Sequence, residues 1–340
     1  MRISPTSKPR VFITMGDPAG IGPEIITKSM ARSRLRDLAV FVIIADASCM
    51  IEAAKKFDFQ EKLVIRKLDE IDQPEIVLNE EAVNVLDPSP ALKNIKSGMP
   101  TAEGAKKTLE CLDFAISLMR DSSEATRKVL VTAPVSKEAI AGIKPGFIGH
   151  TEYLAEAYSV DLVTMVMVGE SFSVVPVTRH IPLKDVVGKL STQLIRDTLF
   201  QVIKHRNVIC PLENPKIGVG ALNPHAGEGG TIGNEEAEII MPAVKEARKV
   251  YKNITIPMSA DTVFYKAYRK EIDIVVAMYH DQALAPFKMI NFDKGVNMTL
   301  GLPFVRTSPD HGTAFDIAGK GIAGSESMEQ AIKVALRAIG

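Results

Sequence analysis

Short β-branched apolar runs alternate with segments of helical period along this chain: VFITM (11–15), VFVIIAD (40–46), VLVTA (129–133), FSVVPVT (172–178), KIGVGAL (216–222), DIVVAMY (273–279) and VNMTLGL (296–302). Strands that are apolar on both faces predict a mainly parallel sheet covered by helices, and therefore an α/β protein. Between them, Ala105, Leu109, Leu112, Ile116 and Met119 fall at steps of four, three, four and three, which predicts a helix over 101–120 with Thr101 as its N-cap. The last helix opens with Ser327 and Gln330 at capping-box spacing and repeats Met328, Ile332, Ala335 and Ile339 on one face, so the tail is expected to pack. The turn-rich stretch DPSPALKNIKSGMP (87–100) is the nearest approach to a break, and no internal repeat is visible.

At 340 residues the chain holds roughly two domains' worth of core. Its 46% hydrophobic content excludes disorder, and its longest apolar run, LAVFVIIA (38–45), is far too short to span a bilayer. Lys+Arg and Asp+Glu each number 41, so no electrostatic footprint points to nucleic acid or a membrane surface. Cys49, Cys111 and Cys210 are too far apart and too few for a disulfide framework or a thiolate metal site. The apolar VFITM after the basic N-terminus is too short for a signal-peptide core, so a cytoplasmic location is expected.

The segment GDPAGIGPE (16–24) follows a strand, precedes a helical pattern and has Asp46 about twenty residues on, which imitates a dinucleotide-binding fingerprint. The third small residue is missing, however, and Pro23 with Glu24 suits a tight strand-to-helix turn that needs no ligand. A second glycine loop, HAGEGGTIGNEE (225–236), carries Glu228, Glu235 and Glu236, which would repel a phosphate, and Asn234 is placed to cap the next helix.

Of six histidines, three terminate strand-like runs: His180, His225 and His280. Three imidazoles make a good zinc-type ligand set that leaves one position open for a substrate oxygen. The gaps between them require the fold or a partner subunit to bring them together; strands in different sheets would reduce them to separate loop-start histidines. His150 precedes a helix as ligand contact or cap, His205 reads as a solvated surface residue, and His311 has Asp310 beside it to fix its tautomer. Lys288, Lys294 and Arg306 follow His280, with Arg306 suited to a bidentate grip on carboxylate or phosphate.

Together GDPAGIGPE (16–24), GHTEYLA (149–155), NPHAGEGGTIGNEE (223–236), AMYHDQ (277–282) and GVNMTLGLPFVRTSPDHGTAFDIAGKG (295–321) resemble the 4-hydroxythreonine-4-phosphate dehydrogenase family of vitamin B6 biosynthesis, over nearly the whole chain. The resemblance implies a two-lobed fold like the isocitrate and isopropylmalate dehydrogenases, with an active site in the interlobe cleft at a homodimer interface. The expected lobes are 1–140 with 290–340, and 141–289, the latter carrying metal ligands and dimer contacts. It implies a divalent metal (zinc, magnesium or cobalt) on His180, His225 and His280, with ligands drawn from both subunits, and substrate contacts from His150, Thr151, Lys288, Asn297 and Arg306. NAD or NADP is the implied hydride acceptor, at positions the motifs do not identify. The implied reaction is oxidation of 4-phosphooxy-L-threonine at C3, followed by decarboxylation to 3-amino-2-oxopropyl phosphate. Lys288 and Asp261 are the expected proton-handling residues. Relatives of this kind also act on threonate or erythronate 4-phosphates or on cis-dihydrodiol carboxylates, and an NAD- or metal-binding module without catalysis is the reading from another class.

Overall fold

A computed structural model describes residues 2–3, 6–32, 34–67, 75–120 and 127–339, and places them in two compact units, 1–163 with 302–340 and 164–301. These boundaries fall later than the expected 140/141 and 289/290. The helices Lys137–Ile143 and His150–Ala157 belong to the first unit because Ile140 and Phe147 pack with Ala105, and Leu154 enters the larger core of that unit. Strand Val296–Leu300 belongs to the second because it pairs along its whole length, antiparallel, with Thr164–Val168.

In the first unit six parallel strands run in the order Val305–Pro309, Lys128–Thr132, Arg10–Thr14, Val40–Ile44, Val83–Asp87 and Leu63–Lys67. Every residue of the four middle strands is buried, as a parallel sheet covered on both faces requires. Helix Ala102–Arg120 starts where its spacing predicts, with Thr101 Oγ1 accepting from the Gly104 N–H at 3.0 Å, and it buries Ala105, Leu112, Ile116 and Met119. The last helix, Glu326–Arg337, packs through Met328, Ile332 and Ala335. Its N-cap is Ser325 and not Ser327, whose hydroxyl lies inside the helix and accepts from the Asp310 N–H at 3.1 Å.

The stretch 87–100 is no linker. Lys107, 1% exposed, places its ammonium 2.5 Å from Asp87 Oδ1 and 3.6 Å from Asp46 Oδ2, and donates to the Ser89 carbonyl at 2.6 Å. Asp46 in turn accepts from the Leu92 N–H at 2.7 Å. Removing the cation would strand two fully buried carboxylates, a cost of about 3–5 kcal/mol. Urea unfolding of Lys107→Met should show that loss; an unchanged midpoint would refute it.

The second unit orders its strands Ile254–Met258, Ile217–Gly220, Ile274–Ala277, Ser173–Pro176, Thr164–Val168 and Val296–Leu300, the first four parallel and the other two joined by antiparallel pairing. Its core gathers Phe172, Val174, Val275 and Phe287, with the Phe172 and Phe287 rings edge-on at 6.2 Å. Among the described residues no helix is long and apolar enough to cross a membrane.

Candidate active site

The first glycine loop is built for backbone contact. A Cβ on Gly22 would sit 2.1 Å from the Met15 carbonyl oxygen, and Gly16, at φ +75°, would meet the Pro134 carbonyl at 2.2 Å. Helix Gly22–Arg32 uses its own acid internally: Glu24 accepts from the Gly321 and Ala323 N–H groups at 3.1 and 2.9 Å and pairs with Lys28 at 3.2 Å. A pocket beside this turn is lined by Glu24 and Glu52 against one lysine, Lys56, a charge balance that does not attract pyrophosphate.

The first unit also holds His150, at the start of helix His150–Ala157, with Thr151 following it. Burial, then the positive charges of Arg306 and Lys137, hold its imidazole well below the ordinary histidine value. Arg306 is 3% exposed, donates to Thr132 Oγ1 through Nε at 3.2 Å and Nη2 at 2.6 Å, and is pulled down to about 10 by burial, with Glu152 opposing. A neutral histidine near two cations, one of them buried, is chemistry suited to an anionic group. Sequence reasoning passed over Lys137, whose only signal was its place after the N-cap Ser136.

The His150 environment has a pH signature. Its folded value lies below 6.5, the unfolded one, so between the two the unfolded chain binds more protons and stability falls as pH falls. Denaturant unfolding should weaken below about pH 6.5 by up to about 1.4 kcal/mol per unit, and His150→Gln should lack that slope.

In the second unit the strands that lead to His225, His280 and His180, namely Ile217–Gly220, Ile274–Ala277 and Ser173–Pro176, are three adjacent parallel neighbours, so their carboxyl ends lie on one edge of the sheet. Ligands in such sheets gather at that edge. The His180 and His280 rings lie 5.7 Å apart, centroid to centroid. Two imidazoles sharing one tetrahedral cation have centroids on the order of 5 Å apart, so this pair fits a metal. His280 Nδ1 donates to Asp281 Oδ1 at 2.6 Å, which makes Nε2 the ring nitrogen that carries a lone pair. His225 is exposed on the glycine loop, and among the described residues no set of three His, Cys, Asp or Glu side chains is arranged to hold a metal.

Asn297, on strand Val296–Leu300, buries its Oδ1 without a hydrogen-bond partner among the described residues, an acceptor suited to a ligand donor. Lys288 is half-buried on helix His280–Asn291, its ammonium 6.0 Å from the Phe292 ring centroid. Asp261 is exposed in the first turn of helix Ala260–Tyr268; hydrogen bonds from Ser259 and the Thr262 N–H, with His225 nearby, hold its carboxyl below the usual range.

The remaining charged and histidine positions sort themselves. Lys294 is exposed and paired with Glu170 at 3.0 Å. His205 is half-buried, not a solvated surface residue, and donates from Nδ1 to the Gln201 carbonyl of its own helix at 2.9 Å. His311 Nδ1 pairs with the Gly312 carbonyl at 3.1 Å, and its Nε2 is buried without a partner among the described residues. The three cysteines are free, and burial pushes the Cys49 and Cys111 thiols up.

A family model described as pyridoxal phosphate biosynthetic protein PdxA matches residues 37–335. The chain belongs to the PdxA family. A 4-hydroxythreonine-4-phosphate dehydrogenase from Geobacter metallireducens is 40% identical over 334 residues, covering 97% of this chain and 96% of that protein. A D-threonate 4-phosphate dehydrogenase from Cupriavidus necator is 37% identical over 332 residues, with 96% of each covered. The crystal structure of 4-hydroxythreonine-4-phosphate dehydrogenase from Klebsiella pneumoniae superposes with a TM-score of 0.81 at 35% identity, covering 99% of both chains. By the names these PdxA relatives carry, the family is one of dehydrogenases, which implies a nicotinamide cofactor, and a phosphorylated hydroxy acid fits those names as substrate.

Proposed function

We propose that this chain oxidises 4-phosphooxy-L-threonine at C3 with NAD or NADP, giving a β-keto acid that loses CO2 to form 3-amino-2-oxopropyl phosphate, in pyridoxal 5'-phosphate biosynthesis. The observation that carries the reading is the placement of His180, His225 and His280 after three adjacent parallel strands in a chain of the PdxA family. In this reading His180, His225 and His280 are the donors to a divalent cation, zinc, magnesium or cobalt, and the 5.7 Å between the His180 and His280 rings supports it. Such an ion, when bound, supplies Lewis-acid polarisation of the hydroxyl and then of the new carbonyl.

The chain's own residues supply the rest. His150, Thr151, Arg306 and Lys137 offer the phosphate a neutral imidazole, a hydroxyl and two cations in one unit. Asn297 and Lys288 are the substrate contacts of the other. Asp281 holds the His280 ring in one tautomer. Asp261 and Lys288 are the two residues proposed to handle the hydroxyl proton; hydrogen bonds from Ser259 and the Thr262 N–H hold the Asp261 carboxyl low, which makes it a weak base. A bound nicotinamide would supply the acceptor for the C3 hydride; loss of CO2 would send the C–C electron pair into the new carbonyl as an enolate, and a proton returned to that carbon would complete the ketone. The active form is proposed to be a cytoplasmic homodimer with a shared site, as the resemblance implies.

D-threonate 4-phosphate is the second substrate reading, since the Cupriavidus relative is nearly as similar as the Geobacter one. Reduced nicotinamide formation, followed by absorbance with each phosphate ester, with and without chelator, tests both levels. The phosphooxythreonine should turn over and chelator should stop it. A tenfold or greater preference for D-threonate 4-phosphate overturns the substrate, and full activity in chelator overturns the metal.

A further inference from the structure

Three charged side chains of the first unit come together where helix His150–Ala157 begins. Gly149, its N-cap, is bare: a Cβ there would stand 3.3 Å from Lys137 Cε and 3.4 Å from Glu152 Oε2, so a cation and a carboxylate both pack over the same glycine. Arg306 is the third, near enough for its charge to act on His150 and for the Glu152 carboxylate to act on it.

Lys137 and Glu152 do not satisfy each other. Among the described residues the two side chains form no ion pair within 4.0 Å, and neither takes part in a hydrogen bond. Lys137 is exposed and Glu152 half-buried, at the third position of the helix. A glutamate at that position can reach back to the N-cap N–H and close a capping box. The Glu152 carboxylate makes no such bond and stands beside Lys137 instead.

The side chains proposed to meet the phosphate are therefore accompanied by one group of the wrong sign. A carboxylate beside Arg306 and Lys137 weakens their hold on a dianion. That loss becomes selectivity when the ligand carries a cation a few bonds from its phosphate, because the carboxylate is then matched, whereas a ligand without the cation meets it unpaired. The two candidate substrates differ in this respect: 4-phosphooxy-L-threonine bears an ammonium at C2, where D-threonate 4-phosphate bears a hydroxyl.

We propose that Glu152 receives the C2 ammonium of the substrate and is the residue that makes the chain prefer the amino acid phosphate to the hydroxy acid phosphate. The inference rests on the phosphate contacts proposed above for His150, Lys137 and Arg306. An acid in the first turn also favours the helix dipole, but that role is blind to which ligand is bound.

Isothermal titration calorimetry on the full-length protein, without nicotinamide so that neither ester reacts, compares 4-phosphooxy-L-threonine, D-threonate 4-phosphate and inorganic phosphate. Wild type should bind the first ester about tenfold or more tightly than the second. Glu152→Gln keeps the shape and removes the charge; it should weaken the first ester by about 10–100-fold and leave the second ester and inorganic phosphate unchanged or tighter. Glu152→Asp keeps the charge on a shorter stem and should fall between wild type and Glu152→Gln. A change by one common factor for all three ligands overturns the proposal, as does a wild type that binds the two esters alike. Arg306→Met separates the two levels: it should lose inorganic phosphate, and wild-type phosphate affinity there sinks the phosphate contacts and this inference with them. Lost phosphate in Arg306→Met beside an unaltered ester preference in Glu152→Gln sinks this inference alone.

Discussion

Replacing His280 with alanine should lower turnover by about a thousandfold or more, roughly 4 kcal/mol of transition-state stabilisation, while the fold survives. Several features make this the most damaging single substitution in the second unit. His280 follows the middle one of the three strands, between the neighbours that lead to His180 and His225. Its ring lies 5.7 Å from that of His180, another candidate ligand, and pairs with the Asp281 carboxylate. The side chain is only half-buried and caps no core cluster, so its removal leaves no cavity to destabilise the unit. Steady-state rates and urea unfolding on the same preparation separate the cases: lost rate with an unchanged midpoint is the expected pair, and wild-type turnover would refute the role. Asp281→Asn should be far milder, about tenfold, because it perturbs the tautomer and leaves the ligand in place.

Much of this arrangement was legible in the sequence, and particular residues show where legibility stopped. The seven apolar runs all became strands because burial on both faces leaves an uninterrupted signature that needs no partner to be read. Leu63–Lys67 and Val83–Asp87 escaped the reading: the first is a half-exposed strand ending in Arg66 and Lys67, and the second buries Asn84, which looks like a turn residue until its amide is seen donating to the Phe41 and Asn79 carbonyls. The three strand-end histidines were visible as a pattern, because strand ends are where an α/β sheet presents ligands. Which strands neighbour which was not visible, since pairing order is a long-range property that spacing does not encode. Lys137 was invisible for a related reason. Its importance lies in the charge it sets near His150, 13 positions away in sequence, and no local periodicity reports that.

Arg306 gives the sharpest contrast between stability and function. Its guanidinium is almost wholly buried, its pKa is drawn down to about 10 by that burial, and its described hydrogen bonds go to a neutral hydroxyl, Thr132 Oγ1. Burial of that cation costs desolvation, which the hydroxyl and the nearby Glu152 carboxylate offset in part. Arg306→Met removes the cost together with those contacts, so the unfolding midpoint should change little. Catalysis should fall by contrast, with kcat/KM for the phosphorylated substrate lowered about 100- to 1000-fold, or roughly 3–4 kcal/mol, mostly through KM, if Arg306 has its proposed role as a fixed fork for two phosphate oxygens. Arg306→Lys restores charge without the fork and should recover only a part of the loss. A second signal comes from His150: burial would still depress it, but one of the two cations beside it would be gone, so its imidazole should titrate closer to the ordinary value, as proton NMR of the ring would show. A variant that unfolds more easily and keeps its KM would instead make Arg306 a structural residue, and the anionic end of the substrate would have to be sought elsewhere.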